Sequence, residues 1–235
     1  MFEAILEDLR AFNRIIIHRH GRPDGDAIGS QVGLKYIIKE NFPEKEVYAV
    51  GDAPGFFGFV EGSTPDEIPD SYYEDALAVI LDCGGVNMIN DDRYTLAKKT
   101  VRMDHHLFTG AIADNEVIDS SYESCCGLVA AFAQQCGLAL TPIAAKALYT
   151  GMVTDSGRFK YSGKDFVLVL GYGAELDLLG LHEDEQTQSK QGEGQLIAGI
   201  GHGFDGLFGD IHQGGIGNIF NQEECIVQEG TECIQ

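Results

Sequence analysis

The amino-acid sequence predicts an α/β fold, in which a parallel β-sheet carries helices on both faces. Short apolar runs alternate along the first 160 residues with longer segments of helical periodicity, and this alternation is typical of parallel sheets. The runs at 15–17 and 76–81 are continuously apolar, as expected for strands that are buried on both faces. With 235 residues the chain is long enough for one large domain or two small ones.

The predicted elements rest on residue spacing and on residues that start or stop a helix. Apolar residues recur at helical spacing in 2–12, and Pro142 stands at a first helical position, where proline is favoured. In chain order the elements are helix 2–12, strand 14–19, helix 27–40, strands 46–50, 76–82 and 100–103, helix 123–136 and a helix from Thr141 to Met152.

Residues 51–70 are predicted to form a loop or a short helical segment, because they contain glycine, proline and no clear periodicity. Three phenylalanines, Phe56, Phe57 and Phe59, lie in this segment. They could line a pocket, but plain packing is the role that we expect.

The composition argues against two classes of partner. A formal net charge of −21 disfavours a surface that binds long duplex nucleic acid, although a small phosphate substrate remains compatible because bound metal ions invert the local charge. No apolar run approaches membrane-spanning length, and the acidic helix 2–12 is unlike a signal peptide. We therefore expect a cytoplasmic protein with free cysteines and no membrane partner.

The turn from His20 to Asp26, with the sequence HGRPDGD, is the first candidate site. It follows an apolar strand and precedes a helical segment, so one histidine and two aspartates lie at the carboxyl end of a strand, where open α/β sheets bind ligands. Imidazole and carboxylates together suit Mn²⁺, Zn²⁺ or Fe²⁺. Alternatively, the segment is a polar turn in which Asp26 caps the next helix. His18 is a further candidate ligand, although packing is its favoured role.

Acidic residues and histidines recur at the ends of later elements. Asp82 ends the strand 76–82, Asp104-His105-His106 ends the strand 100–103, and Asp155 follows the last predicted helix. Because the carboxyl ends of parallel strands meet at one edge of the sheet, we expect these side chains to gather there. The residues that we expect around a divalent metal are Asp24, Asp26, Asp82, His105 and Asp155.

Four blocks of the sequence resemble the signature motifs of the DHH phosphoesterase family. They are HRHGRPDGDAIGS at 18–30, AVILDCGG at 78–85, RMDHH at 102–106 and YTGMVTDSGRF at 149–159. The resemblance covers about residues 1–165 and implies a phosphoesterase domain over 1–164. It implies hydrolysis of small nucleotide phosphates or very short oligonucleotides, as in bacterial oligoribonucleases that also act on 3′-phosphoadenosine-5′-phosphate. Other branches act on pyrophosphate, polyphosphate or cyclic dinucleotides.

The same resemblance implies two divalent metal ions, usually Mn²⁺, which activate water and hold the phosphate oxygens. The implied ligands are His20 and Asp24 for one ion, Asp26, His105 and Asp155 for the other, and catalytic Asp82 between the two. His106 would contact the phosphate or support a ligand, and Asp104 would orient a histidine by accepting its N–H. Arg158 is a candidate for binding substrate.

Two departures from the family pattern affect the expected activity. Met88 stands where relatives often carry an arginine, for which Arg93 is a distant substitute. In relatives a C-terminal DHHA1 domain closes over the site as a lid. Residues 165–235, with thirteen acidic residues and one lysine, show no motif of that domain and are predicted to be a linker with a degenerate or truncated C-terminal region. A missing lid would expose apolar surface and favour a homodimer. The alternative function is therefore a catalytically weak nucleotide-binding or regulatory module that keeps the metal site.

Overall fold

The structure, a computed structural model, describes residues 1–160; the predicted boundary at 164/165 and the acidic region 165–235 lie outside the described residues. Residues 1–160 form a five-stranded sheet with strand order β2-β1-β3-β4-β5. The strands are β1 (Arg14–His18), β2 (Glu46–Ala49), β3 (Ala76–Leu81), β4 (Lys99–Asp104) and β5 (Asn115–Ile118). Every neighbouring pair is parallel, which confirms the predicted α/β class. Strand β5 was not predicted.

The described residues contain four α-helices, all of them predicted. They are α1 (Glu3–Ala11), α2 (Gly25–Asn41), α3 (Cys125–Gln135) and α4 (Pro142–Asp155). Helices α2, α3 and α4 pack against one another, and α2 and α3 also contact the sheet. Helix α4 continues beyond the predicted end at Met152, so Asp155 belongs to its last turn. Among residues 1–160, none of the helices combines the length and apolar character that crossing a membrane requires.

Short 3₁₀ helices and aromatic side chains cover the other face of the sheet within residues 1–160. Ile16 packs with Tyr73 there, and Ile80 packs with Tyr94. His18 shares this face and is fully buried, with its ring 5.7 Å from that of Tyr73 and 6.1 Å from that of Tyr94. His18 is therefore a packed core residue, which is the role favoured from the sequence, and it lies away from the candidate site. Both faces of the sheet are covered, as predicted, but α-helices cover one face and short 3₁₀ helices with aromatic side chains cover the other.

Three glycines allow α2 and α4 to pack closely. They recur at four-residue spacing on α2, and a Cβ atom on any of them would lie 2.4 Å from an atom of α4. The three contacts are Gly25 to Thr154 Oγ1, Gly29 to the Ala147 carbonyl oxygen and Gly33 to Leu148 Cδ2. At Gly29 the facing atom is backbone and cannot turn away, so a side chain at this position would force the two helices apart. The close approach brings the last turn of α4 beside the first turn of α2.

A buried polar bridge fixes the carboxyl ends of β1 and β2. The Gln31 side-chain amide donates to the carbonyl oxygens of Ile17 (2.7 Å) and Val50 (2.8 Å). Its own carbonyl oxygen accepts from Arg19 Nε at 2.8 Å. Both side chains are buried, so each bond satisfies a polar group that would otherwise lose its water at a cost. The bridge therefore holds the backbone directly before His20.

Replacing Gly29 by alanine is expected to destabilise the fold. The added methyl group would lie 2.4 Å from the Ala147 carbonyl oxygen and 2.8 Å from Cys126 Sγ, so α2 would have to move away from its neighbours. Such overpacking costs about 1–3 kcal/mol, which exceeds the ~1 kcal/mol that alanine gains over glycine in a helix. Denaturant unfolding of the purified chain should show the lower free energy of unfolding.

Gly58→Ala is the matched control for this change. The nearest atom to a Cβ on Gly58 is Pro54 Cγ at 3.8 Å, an ordinary contact distance. Equal stabilities of Gly29→Ala and the unmodified protein would contradict the close packing of α2 against α4.

Candidate metal centre

The residues predicted as metal ligands come together at the carboxyl edge of the sheet. Their source elements are the turn after β1 (His20, Asp24), the first turn of α2 (Asp26), the end of β3 (Asp82), the end of β4 (His105) and the last turn of α4 (Asp155). Their side-chain oxygen and nitrogen atoms form three overlapping groups, each within 4.8 Å: His20 with Asp24 and Asp82, Asp26 with His105 and Asp155, and Asp82 with His105 and His106. Five different parts of the fold thus supply one cluster.

The turn after β1 places its two carboxylates in different environments. Asp24, not Asp26, caps α2, because Asp24 Oδ1 accepts from the backbone N–H groups of Asp26 (3.1 Å) and Ala27 (2.9 Å). The alternative interpretation, in which Asp26 caps α2, is therefore wrong. An Ncap side chain must lie outside the helix and reach back to its first amides, and helix α2 already begins at Gly25. Capping leaves Asp24 Oδ2 without a bond to the helix.

Asp26 is fully buried and is held by the amino end of α3. Its Oδ2 accepts from the backbone N–H of Cys125 at 2.6 Å, and its Oδ1 accepts from that of Cys126 at 2.8 Å. Burial, together with the charges of Asp82 and Asp155, raises the pKa of Asp26 well above its ordinary value. The helix amides orient this carboxylate, while the crowding of like charges calls for a nearby cation.

Asp82 lies between the two sides of the cluster. Its Oδ2 is 3.3 Å from His20 Nε2, whereas its Oδ1 is 3.5 Å from His105 Nε2. The backbone of Asp82 has φ of +53°, in the left-handed region that costs a non-glycine residue energy. Such strain is typical of functional positions, and here it turns the side chain at the end of β3 into the cluster.

His105 contacts three carboxylates at nearly equal distances. Its Nε2 lies 3.6 Å from Asp26 Oδ2, 3.5 Å from Asp82 Oδ1 and 3.6 Å from Asp155 Oδ2. Burial lowers the pKa of His105, but the hydrogen bond and negative charges of these neighbours outweigh burial and raise it to about 9. A nitrogen with three oxygens around it marks a position where positive charge is stabilised.

His20 is oriented by the backbone of the turn. Its Nδ1 lies 2.8 Å from the Gly21 carbonyl oxygen, so Nδ1–H donates there and Nε2 points towards Asp24 and Asp82. Burial disfavours a charge on His20, yet hydrogen bonds with these two carboxylates raise its pKa to about 10. A histidine whose other nitrogen is fixed by a carbonyl is typical of a metal ligand.

His106 is held by Asp104 at the end of β4. Its Nδ1 lies 2.7 Å from Asp104 Oδ1, and Arg102 Nη2 donates to Asp104 Oδ2 at 2.6 Å. The hydrogen bond that His106 donates to Asp104 raises the pKa of His106, whereas His106 and Arg102 lower the pKa of Asp104 despite its burial. Asp104 therefore orients a histidine, and that histidine is His106. The His106 side chain is 41% exposed, so it faces both the cluster and solvent.

A divalent cation fits this donor set. Four carboxylates and three histidines belong to the overlapping groups, and burial together with neighbouring negative charge raises the pKa of Asp155 to about 7. Neutral imidazole with carboxylate oxygen is a combination that Mn²⁺, Zn²⁺ and Fe²⁺ accept. A bound cation would relieve the repulsion that the folded chain otherwise carries.

The arginines near this edge have other partners or other places. Arg93 binds Asp91 through Nη2 at 2.6 Å and also contacts Asp70, so it is not a substitute for the cation expected at Met88. Arg158 and Arg22 are exposed, and both have positive φ. Sequence reasoning overlooked Arg19, whose buried guanidinium donates to the His20 carbonyl oxygen at 3.3 Å.

Two curated bacterial proteins resemble the chain over 171 and 164 residues. It is 37% identical to the probable bifunctional oligoribonuclease and PAP phosphatase NrnA of Streptococcus mutans, over 71% of the chain and 54% of that protein. It is 34% identical to the bifunctional oligoribonuclease and PAP phosphatase NrnA of Bacillus subtilis, over 68% of the chain and 52% of that protein. The chain thus spans about half the length of the curated relatives that it matches.

The fold and the family agree with the sequence motifs. An exopolyphosphatase-related protein of Bacteroides fragilis has a similar fold, with a TM-score of 0.67 and 22% identity over 74% of this chain and 56% of that one. The family model described as "DHH family, N-terminal domain" matches residues 14–152, more than half of the chain. From the motifs, the parallel sheet and this match, it follows that the chain belongs to the DHH family.

Proposed function

We propose that the chain forms the phosphoesterase domain of a metal-dependent enzyme that hydrolyses small nucleotide phosphates or very short oligonucleotides. The observation that carries this proposal is Asp82, whose two oxygens face separate groups of potential ligands. One carboxylate between two such groups suits a pair of metal ions. Relatives whose names give oligoribonuclease and PAP phosphatase activities support the substrate class.

In this proposal each side of Asp82 holds one Mn²⁺ ion. The ligands are His20 and Asp24 on one side, Asp26, His105 and Asp155 on the other, and Asp82 on both. The ions would supply Lewis-acid stabilisation of the charge that develops on the phosphate. The chain itself fixes the geometry through the α3 amides that hold Asp26 and the Gly21 carbonyl that orients His20.

His106 is assigned to the substrate rather than to an ion. Asp104 accepts from its Nδ1–H, so Nε2 is the ring atom that remains for the substrate. Because Asp104 raises the pKa of His106, a proton on Nε2 can be held for a phosphate oxygen or for the leaving group. Arg158, exposed three residues after Asp155, is assigned to phosphate binding as well.

The cellular setting of the proposal follows from the same features. Nucleotide turnover and the free cysteines of the described residues favour the cytoplasm. Long duplex nucleic acid is not an expected ligand, because the net charge of −21 repels a phosphate backbone.

Exposed apolar side chains would support a homodimer. They include Leu107 and Phe108, which are 75% and 62% exposed.

A catalytically weak nucleotide-binding module is the second candidate function. It is favoured by Met88, because a Cβ on Gly84 would lie 3.5 Å from Met88 Sδ and 3.4 Å from His106 Cγ. A thioether at this position cannot pair with a phosphate as an arginine would. Pyrophosphate and cyclic dinucleotides are alternative substrates that would use the same ligands, and a substrate panel separates them.

Replacing Asp82 by asparagine is expected to lower hydrolysis by more than about 100-fold. The amide would remove the negative charge of Asp82 between the two groups of ligands. Even the loss of a residue that only supports a metal ligand lowers metal affinity or activity by about 10–100-fold. The measurement is the release of phosphate and mononucleotide from 3′-phosphoadenosine-5′-phosphate and from a dinucleotide, with Mn²⁺ and with EDTA.

Asp75→Asn is the matched control for this variant. Asp75 is an exposed aspartate that precedes the amino end of β3, whereas Asp82 follows its carboxyl end. The control should keep full activity. Undiminished Mn²⁺-dependent hydrolysis by Asp82→Asn would rule out the proposed site.

Mn²⁺ is expected to stabilise the folded protein through this cluster. A ligand that binds only the folded state adds about 2.7 kcal/mol at a concentration 100 times its dissociation constant. Mn²⁺ should therefore raise the midpoint temperature of thermal unfolding in the unmodified protein and in Asp75→Asn, and EDTA should reverse the increase. The increase should be much smaller in Asp82→Asn. Equal shifts in all three proteins would show that Mn²⁺ binds elsewhere.

Replacing Met88 by arginine is expected to raise kcat/KM. The guanidinium would supply the cation for phosphate that the neighbourhood of His106 lacks, and a bidentate contact of this kind is strong. Met88→Leu keeps the apolar volume and should change little. Steady-state rates on 3′-phosphoadenosine-5′-phosphate test both variants; a loss of activity in Met88→Arg would contradict a phosphate position beside this residue.

A further inference from the structure

The 3₁₀ helix Gly55–Phe59 carries a cluster of three phenylalanines, Phe56, Phe57 and Phe59, here called the aromatic cluster. Their rings contact one another, with centroids 5.4 Å, 5.9 Å and 6.0 Å apart. Phe56 is 52% and Phe59 43% exposed, so plain packing, the expected role, does not account for these two rings. Exposed aromatic side chains in contact with one another are a common mark of a ligand surface.

The aromatic cluster begins at the metal centre. A Cβ on Gly25 would lie 3.0 Å from Phe57 Cε1 and 2.4 Å from Thr154 Oγ1. Gly25 lies between Asp24 and Asp26, and Thr154 directly precedes Asp155. The inner ring of the cluster therefore lies beside the glycine that separates the candidate ligands Asp24 and Asp26.

Phe57 anchors the cluster to the fold. Its ring packs against a core group that includes Ile28 and Val32 of α2 and Ala147 of α4. Phe56 and Phe59 then extend from this anchored ring into solvent. The result is an aromatic surface that is fixed at its inner end and uncovered at its outer end.

The charge of the neighbourhood favours an uncharged group on this surface. The candidate centre itself contains four carboxylates, and the chain carries a net charge of −21. The three uncharged rings give a phosphate no charged group to pair with. A planar base needs none, because every base has a π-face that stacks on phenylalanine.

We propose that the aromatic cluster stacks against the nucleobase of a nucleotide whose phosphate lies at the metal centre. This inference rests on the proposed function for the position of the phosphate. It makes Phe56 and Phe59 specificity determinants, since pyrophosphate and polyphosphate have no base to stack. The cluster thus selects nucleotides over inorganic phosphates that the same ligands would accept.

The test compares two ligands that differ by the base alone, adenosine 5′-monophosphate and ribose 5-phosphate. Their dissociation constants are measured by titration calorimetry on the full chain with Mn²⁺, so that the result does not depend on turnover. Stacking of one base is worth about 5- to 150-fold in affinity. The unmodified protein should bind the nucleotide more tightly by a factor in this range, and the double variant Phe56→Ala/Phe59→Ala should lose that advantage.

Three further variants separate stacking from apolar contact. Phe59→Trp should keep the advantage of the nucleotide, whereas Phe59→Leu, which retains apolar volume without a ring, should reduce it. Leu96→Ala removes another exposed apolar side chain, 49% exposed and before the amino end of β4, and should have no effect.

Equal affinities of the unmodified protein for the two ligands would overturn the stacking proposal. So would an advantage that survives Phe56→Ala/Phe59→Ala, or one that Phe59→Leu fully keeps, which would point to plain apolar contact with the base. Failure of the proposed function is a separate result, because it would appear as absence of Mn²⁺-dependent hydrolysis in the unmodified protein whatever the two affinities are.

Discussion

The buried carboxylate of Asp26 is the contact on which the candidate centre depends. It lies in the first turn of α2, and both of its oxygens accept from the first amides of α3. Its Cα would lie 2.9 Å from a Cβ on Gly151, so α4 also approaches it as closely as a glycine permits. One side chain therefore fixes three helices around the carboxyl edge of the sheet, and any shift of these helices moves the centre.

Electrostatic repulsion is the cost of this arrangement. Asp24, Asp26, Asp82 and Asp155 converge although their mutual charge disfavours it, and the pKa values of Asp26 and Asp155 rise accordingly. Protonated histidines offset part of the repulsion, as the raised pKa values of His20 and His105 show. Divalent cations would offset more of it, and their binding at this edge of the sheet would then stabilise the fold.

The sheet carries the chemistry at one edge and the packing elsewhere. Residues directly after β1, β3 and β4 face the centre, whereas His18, two positions before His20, is enclosed by tyrosines. The left-handed backbone of Asp82 makes this change of direction abrupt at the end of β3. A rigid, fully buried strand leading into a strained residue holds the carboxylate in place with little freedom.

The class of fold and the residues proposed for the candidate centre could be predicted from the sequence, because apolar runs, periodicity and strand-end motifs are local signals. The sequence did not reveal that Asp24 is the helix cap, since two nearby aspartates suit that position equally well. Nor could it reveal the bonds from Asp26 to amides 99 and 100 residues away, or the bridge between Arg19 and Gln31. Those contacts, and the exposure of Phe56 and Phe59, depend on how α2 packs against α3, α4 and the sheet, which only the tertiary structure decides.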